Sequence, residues 1–161
     1  MRIGIAADHA GQNLKASVTK HLRELGHEIV PFGPEPMPDD DYPLIVAPLA
    51  DALVRGDVER AIFLCGSGIG PAVAANKIAG VRAAVVENEW SARDSVEHVD
   101  VNLLTLGERV IGAALANSIV DAFLSASVQG GRHARRREQI AKMERSAPVV
   151  ADGARGMERM R

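Results

Sequence analysis

Cys65 is the only cysteine in the chain, and it stands where an apolar run ends and a glycine-rich loop begins, Gly66-Ser67-Gly68-Ile69-Gly70. A thiolate beside backbone amides suits proton abstraction next to a carbonyl, which needs a base on one side and oxyanion stabilisers on the other. Glycines at alternate positions let amides face a ligand without β-carbons in the way, and amides at a helix start favour negative charge. The loop lacks the Gly-Lys-Ser/Thr of a nucleotide-phosphate loop. It also lacks the spacing and position of a dinucleotide fingerprint. A buried apolar residue followed by a tight structural turn explains the same residues.

Two further clusters could carry chemistry. Asp8-His9-Ala10-Gly11 follows the first apolar run. It reads as a carboxylate and an imidazole facing a ligand, or as a helix N-cap with a surface histidine. His98 and Asp100 precede the last short apolar run. Beyond Gly130-Gly131 lies Arg132-His133-Ala134-Arg135-Arg136-Arg137. That run suits a phosphate site, a solvated helix face or RNA. A net charge of −2 and only one Trp, one Tyr and three Phe argue against nucleic acid. His21 and His27 read as surface or strand-flank residues.

Short apolar runs alternate with amphipathic stretches. Strands are expected at 2–7, 27–32, 61–65, 82–86 and 102–106. Helices are expected at 13–25, 44–54, 71–78, 89–97 and 110–124, with a last one from 132 to about 145. A Pro- and Asp-rich loop spans 33–43. This alternation implies parallel strands joined by right-handed crossovers, with ligands bound beyond their carboxyl ends. The ends bearing Asp8 and Cys65 then share one edge.

The 161 residues suit one domain, with 47% apolar and 25% charged residues. A lone thiol rules out an internal disulfide and fits a reducing cytoplasm. No signal peptide or membrane-length apolar run is visible, so neither membrane nor nucleic acid is an expected partner.

Together these elements resemble the ribose-5-phosphate isomerase B family, which includes the galactose-6-phosphate isomerase subunits. The matching stretches are Ala7–Gly11, Asp41-Tyr42-Pro43, Cys65–Gly70, Ala74–Lys77, Gly80–Ala83, the His98 segment, Gly107–Val110 and Gly130–His133. They run colinearly over residues 1–145, the expected isomerase domain. Residues 146–161 read as a tail, flexible or packed on a partner subunit. The resemblance implies a Rossmann-like three-layer α/β/α sandwich with a five-stranded parallel sheet and a C-terminal helix or arm. It implies a homodimer or dimer of dimers with sites at the subunit interface, no metal and no cofactor.

By the same resemblance, Cys65 is the base that moves a proton between C1 and C2. Ser67 and the Gly66, Gly68 and Gly70 amides hold the enediolate oxygens. Asp8 and His98 pass protons during ring opening, and Tyr42 lines the sugar pocket. His9 and Arg109 grip the phosphate, with Arg132, His133 and Arg136 reaching from the partner. Family members without the cysteine use a glutamate just after the glycine loop; Pro71 stands there in this chain. One departure is Val99, where the family usually has Asn after the histidine. Valine cannot hydrogen-bond a sugar oxygen. The expected substrate pair is ribose 5-phosphate and ribulose 5-phosphate. The alternatives are a tetrose, allose or galactose-type phosphate, a non-catalytic sugar-phosphate-binding module, or a flavin- or dinucleotide-binding protein.

Overall fold

The computed structural model describes residues 1–33 and 41–146. Most of the expected proline-rich loop and all but the first residue of the expected tail lie outside the described residues.

Five strands form one parallel sheet: β1 (Arg2–Ala7), β2 (Glu28–Pro31), β3 (Arg60–Cys65), β4 (Ala83–Val85) and β5 (Leu103–Gly107), in the order β2-β1-β3-β5-β4. Six helices connect or follow them: α1 (Gln12–Glu24), α2 (Tyr42–Arg55), α3 (Ile69–Ala75), α4 (Glu89–Val99), α5 (Ala113–Ser125) and α6 (Arg132–Ser146). β3 and β5 are covered on both faces, which is why they read as largely apolar runs rather than alternating ones, with Thr105 the one polar residue inside β5.

Side chains alternate between the two faces of each strand. Ile3, Ile5, Ile62, Leu64, Leu104 and Leu106 pack with α1, α4 and α5 around Phe123. Ala6, Ala61, Phe63, Cys65 and Leu103 face α2 and α3. The result is the three-layer α/β/α sandwich expected from the sequence. Phe63, Phe123 and Leu22 are fully buried, each worth about 1.5–3 kcal/mol of apolar transfer.

The chain turns from β2 back across β1 to β3, so the connections diverge between the carboxyl ends of β1 and β3. A crevice at such a divergence is where open parallel sheets bind ligands.

Several element ends differ from expectation. α3 starts at Ile69 because Gly68, at φ +80°, turns the chain directly from the loop into the helix. Pro71 therefore sits in the first turn but not first, a position that still needs no N–H partner. α3 also stops early, where the Asn76 side chain exchanges two hydrogen bonds with Ala83 on β4, at 2.8 and 2.9 Å. α4 continues through His98 to Val99, where Asp100 takes a left-handed conformation at φ +56°. α5 begins at Ala113 because Val110 and Ile111 both donate backwards to the Gly107 carbonyl in a tight turn.

Candidate active site

Three strand-end loops are tied together at the carboxyl edge. Asp8 N–H donates to the Leu64 carbonyl, Glu108 N–H to the Cys65 carbonyl at 2.8 Å, and Arg109 N–H to the Gly66 carbonyl at 3.0 Å. Gly11 packs directly on the backbone of Leu64 and Cys65, where any β-carbon would collide. A single 3-10 turn, His9–Gly11, follows Asp8, whose carboxylate accepts from Ala10 N–H at 2.9 Å. Asp8 thus caps a turn, as one reading of it expects, and lies buried beside the Cys65 loop.

Cys65 closes β3 and is 5% exposed. Its Sγ accepts a hydrogen bond from Gly68 N–H at 2.9 Å. The left-handed turn at Gly68 is what aims this amide back at the sulfur. A backbone donor facing a thiol stabilises negative charge there. Gly68 is also packed closely, since a β-carbon would lie 3.2 Å from Val85 Cγ1 and 3.3 Å from the Leu106 carbonyl carbon.

The remaining loop residues place the other expected groups around Cys65. The Arg109 guanidinium lies over Gly66, 3.5 Å from where a β-carbon would stand. The Tyr42 ring covers Gly70, whose β-carbon would be 2.6 Å from Cζ. Ser67 is exposed, accepts from Ile69 N–H at 3.3 Å, and packs its backbone on Gly107. His9 is exposed on the 3-10 turn. Asp8, His9, Tyr42, the Gly66–Gly70 loop and Arg109 thus form one neighbourhood at the β1/β3 divergence.

His98 is not in it. α4 leaves the carboxyl end of β4 and returns to the amino end of β5, so its last turn lies at the opposite edge from Cys65. β5 spans five residues, which at about 3.3 Å each separates the two edges by roughly 16 Å. Within one chain, Asp8 and His98 therefore lie at opposite edges of the sheet.

At this amino edge a second neighbourhood forms. The His98 ring stacks on His133 of α6, with centroids 3.9 Å apart and planes 12° from parallel. His98 Nδ1 lies 2.6 Å from Asp94 Oδ1, one helical turn earlier. Arg132 Nε–H donates to His133 Nε2 at 3.2 Å, which requires a lone pair on that nitrogen. Burial, followed by the charges of His98, Arg132, Arg136 and Arg137, holds the His133 pKa below the ordinary 6.5. Arg136 is exposed one turn on from Arg132.

Further side chains support both neighbourhoods. The Glu108 carboxylate accepts from Leu14 N–H at 2.9 Å and Asn13 Nδ2 at 2.7 Å, fastening the loop after β5 to the start of α1. Arg137 reaches the His98 carbonyl at 3.3 Å and the Gln129 carbonyl at 2.9 Å, fixing α6 to the end of α4. Asp100 pairs with Arg82 at 2.7 Å and Arg60 at 3.5 Å. The Asp94–His98 spacing is readable as a helical i, i+4 pair; the other contacts depend on the tertiary fold. Val99 is exposed and lines a groove of about 960 Å³ between α6 and the β4 side, together with Arg82 and Ile140.

Among the described residues no group of three or more His, Cys, Asp or Glu is placed to hold a metal ion. No described helix is long and apolar enough to cross a membrane.

Residues 3–140 match the family described as Ribose/Galactose Isomerase. The chain is 42% identical over 143 residues to ribose-5-phosphate isomerase B of Escherichia coli K12, covering 89% of this chain and 96% of that one. Its fold matches the structure of ribose-5-phosphate isomerase B from Clostridium thermocellum with a TM-score of 0.87. The two are 46% identical over 90% of this chain and 98% of the other. It also matches a Mycoplasma genitalium ribose-5-phosphate isomerase B solved with bound ribulose 5-phosphate. That comparison gives a TM-score of 0.85 and 37% identity over 90% of this chain and 97% of the other.

Proposed function

Because the chain belongs to the ribose/galactose isomerase family, we propose that it is an aldose–ketose isomerase of sugar phosphates acting on ribose 5-phosphate and ribulose 5-phosphate. Residues 1–145 form the isomerase domain. The observation that carries the chemistry is the Gly68 amide held 2.9 Å from Cys65 Sγ at the strand divergence.

The site is completed by a second copy. The Cys65 neighbourhood of one subunit faces the His98–His133 neighbourhood of its partner, since one chain places them at opposite edges. Asp8 takes the proton from the anomeric hydroxyl, and His98 of the other copy gives one to the ring oxygen. The open aldose then loses its C2 proton to the Cys65 thiolate. Loop amides and Ser67 stabilise the cis-enediolate, one such donor being worth about 2.7–4 kcal/mol. Cys65 returns the proton to C1 while the hydroxyl proton of O2 passes to O1, so that the C2=O2 double bond of the ketose forms as the C1=C2 bond is lost. Arg109 and His9 hold the phosphate from one subunit, with Arg132, His133 and Arg136 from the other; fixed guanidinium forks match phosphate oxygens well.

Turnover of ribose 5-phosphate by wild type, lost in Cys65→Ala, tests this reading. Full activity in the variant would remove Cys65 from the chemistry.

Val99 favours a second reading in which the reaction is the same and the sugar differs. An exposed valine supplies no hydrogen bond where the family usually has Asn. Relative kcat/KM across tetrose, pentose and hexose phosphates separates the two.

A further inference from the structure

His98 is held on two sides. Nδ1 meets the Asp94 carboxylate at 2.6 Å, and one face of the ring is covered by His133. Its backbone carbonyl is held by Arg137. Nε2 has no hydrogen-bond partner among the described residues. A carboxylate only accepts hydrogen bonds, so the nitrogen facing Asp94 keeps its hydrogen and Nε2 is the one left to exchange a proton. Residues four apart on a helix share a face, so α4 itself sets this geometry.

We propose that Asp94 is a positioning residue for ring opening, holding His98 with its proton on Nδ1 so that Nε2 meets the sugar. The inference rests on the proposed role of His98 at the ring oxygen. In that step the imidazolium Nε2–H bond breaks and its proton goes to the ring oxygen as the bond from C1 to that oxygen breaks. The O1–H proton goes to the Asp8 carboxylate, and its electron pair completes the C1=O1 double bond. Throughout, Nδ1–H stays on Asp94. Without Asp94 the ring can rotate or hold its single proton on Nε2 when neutral, and the donor is no longer defined.

Two rates separate ring opening from carbon chemistry. Ribose 5-phosphate enters as a furanose and must be opened. Ribulose 5-phosphate cannot close a furanose ring, because its O5 carries the phosphate, so exchange of its C1 hydrogen with deuterated water needs only the carbon-bound proton transfer. Asp94→Ala is expected to slow ribose 5-phosphate turnover by about tenfold or more while leaving the exchange rate within about twofold. Asp94→Asn, whose amide oxygen can still accept from Nδ1–H, should recover part of the loss. Nitrogen-15 NMR of the neutral His98 ring should show the proton on Nδ1 in wild type and a mixture in Asp94→Ala. Equal loss of both rates in Asp94→Ala and Asp94→Asn would make Asp94 a fold support and overturn the proposal. Unchanged turnover or an unchanged tautomer would do the same. His98→Asn must show the same split; if it does not, the ring-opening role of His98 falls and this proposal with it. Failure of the wild type to act on either sugar would instead overturn the substrate reading.

Discussion

The Gly68 amide donates to Cys65 Sγ across 2.9 Å, and the turn that makes this possible is left-handed, with φ +80° at Gly68. A residue with a β-carbon other than Asn or Asp carries a conformational cost of about 1–2 kcal/mol there. It would also press on Val85 and the Leu106 backbone. Gly68→Ala is therefore expected to lower the melting temperature and to reduce kcat together, because the amide moves away from the sulfur. Calorimetry and initial rates on the same preparation check this. A variant that is less stable but fully active would uncouple the turn from the chemistry.

Cys65→Ala should lower ribose 5-phosphate turnover by about 10²–10⁴-fold, the usual worth of a positioned base. Deuterium exchange at C1 of ribulose 5-phosphate should fall by a similar factor, since both need the same proton transfer. Exchange that survives in the variant would assign the base elsewhere.

Acid should weaken the fold partly through His133. In the unfolded chain this group titrates near 6.5, and in the fold burial and neighbouring positive charge hold its pKa lower. Between the two values the unfolded chain binds more protons, so stability rises with pH. The contribution is complete above 6.5 and is lost as pH falls through the folded value. His133→Asn should remove that slope. Melting curves between about pH 7 and pH 5 are then expected to fall more steeply for wild type than for the variant. Parallel curves would contradict the assignment.

Asp100 ends α4 in a left-handed conformation and pairs with Arg82 and Arg60, at side-chain exposures of 16–33%. Partial exposure screens these pairs, so Asp100→Ala should cost about 1–2 kcal/mol by denaturant unfolding. Asp100→Asn, which tolerates the same backbone, should cost less. Equal cost would mean that charge rather than conformation dominates.

Much of the carboxyl edge was legible in the sequence. In a parallel sheet buried on both faces, strands read as apolar blocks, and the residue after each block lands on the ligand-binding edge. Asp8 and Cys65 could be placed together on that ground alone. The amino edge was not legible. His98 was readable as a chemical residue, but its position depends on α4 running two residues further than its apolar periodicity suggests, and its stacking on His133 depends on α6 packing back across α4. Contacts between elements far apart in sequence, such as Glu108 with the start of α1, leave no local pattern. α3 was misplaced because a left-handed glycine can start a helix where a proline further on looks like the better start.

The claim on which the mechanism turns is that one site draws Cys65 from one copy and His98 from another. Mixing tests it directly. Cys65→Ala and His98→Asn are each expected to be at least about a hundredfold slower alone. After the two chains are unfolded together and refolded, half of the dimers are mixed, and each mixed dimer holds one intact site of two. Activity should return to about a quarter of the wild-type value. No return of activity from well-folded mixed dimers, or full activity in a monomer, would contradict a site shared between copies.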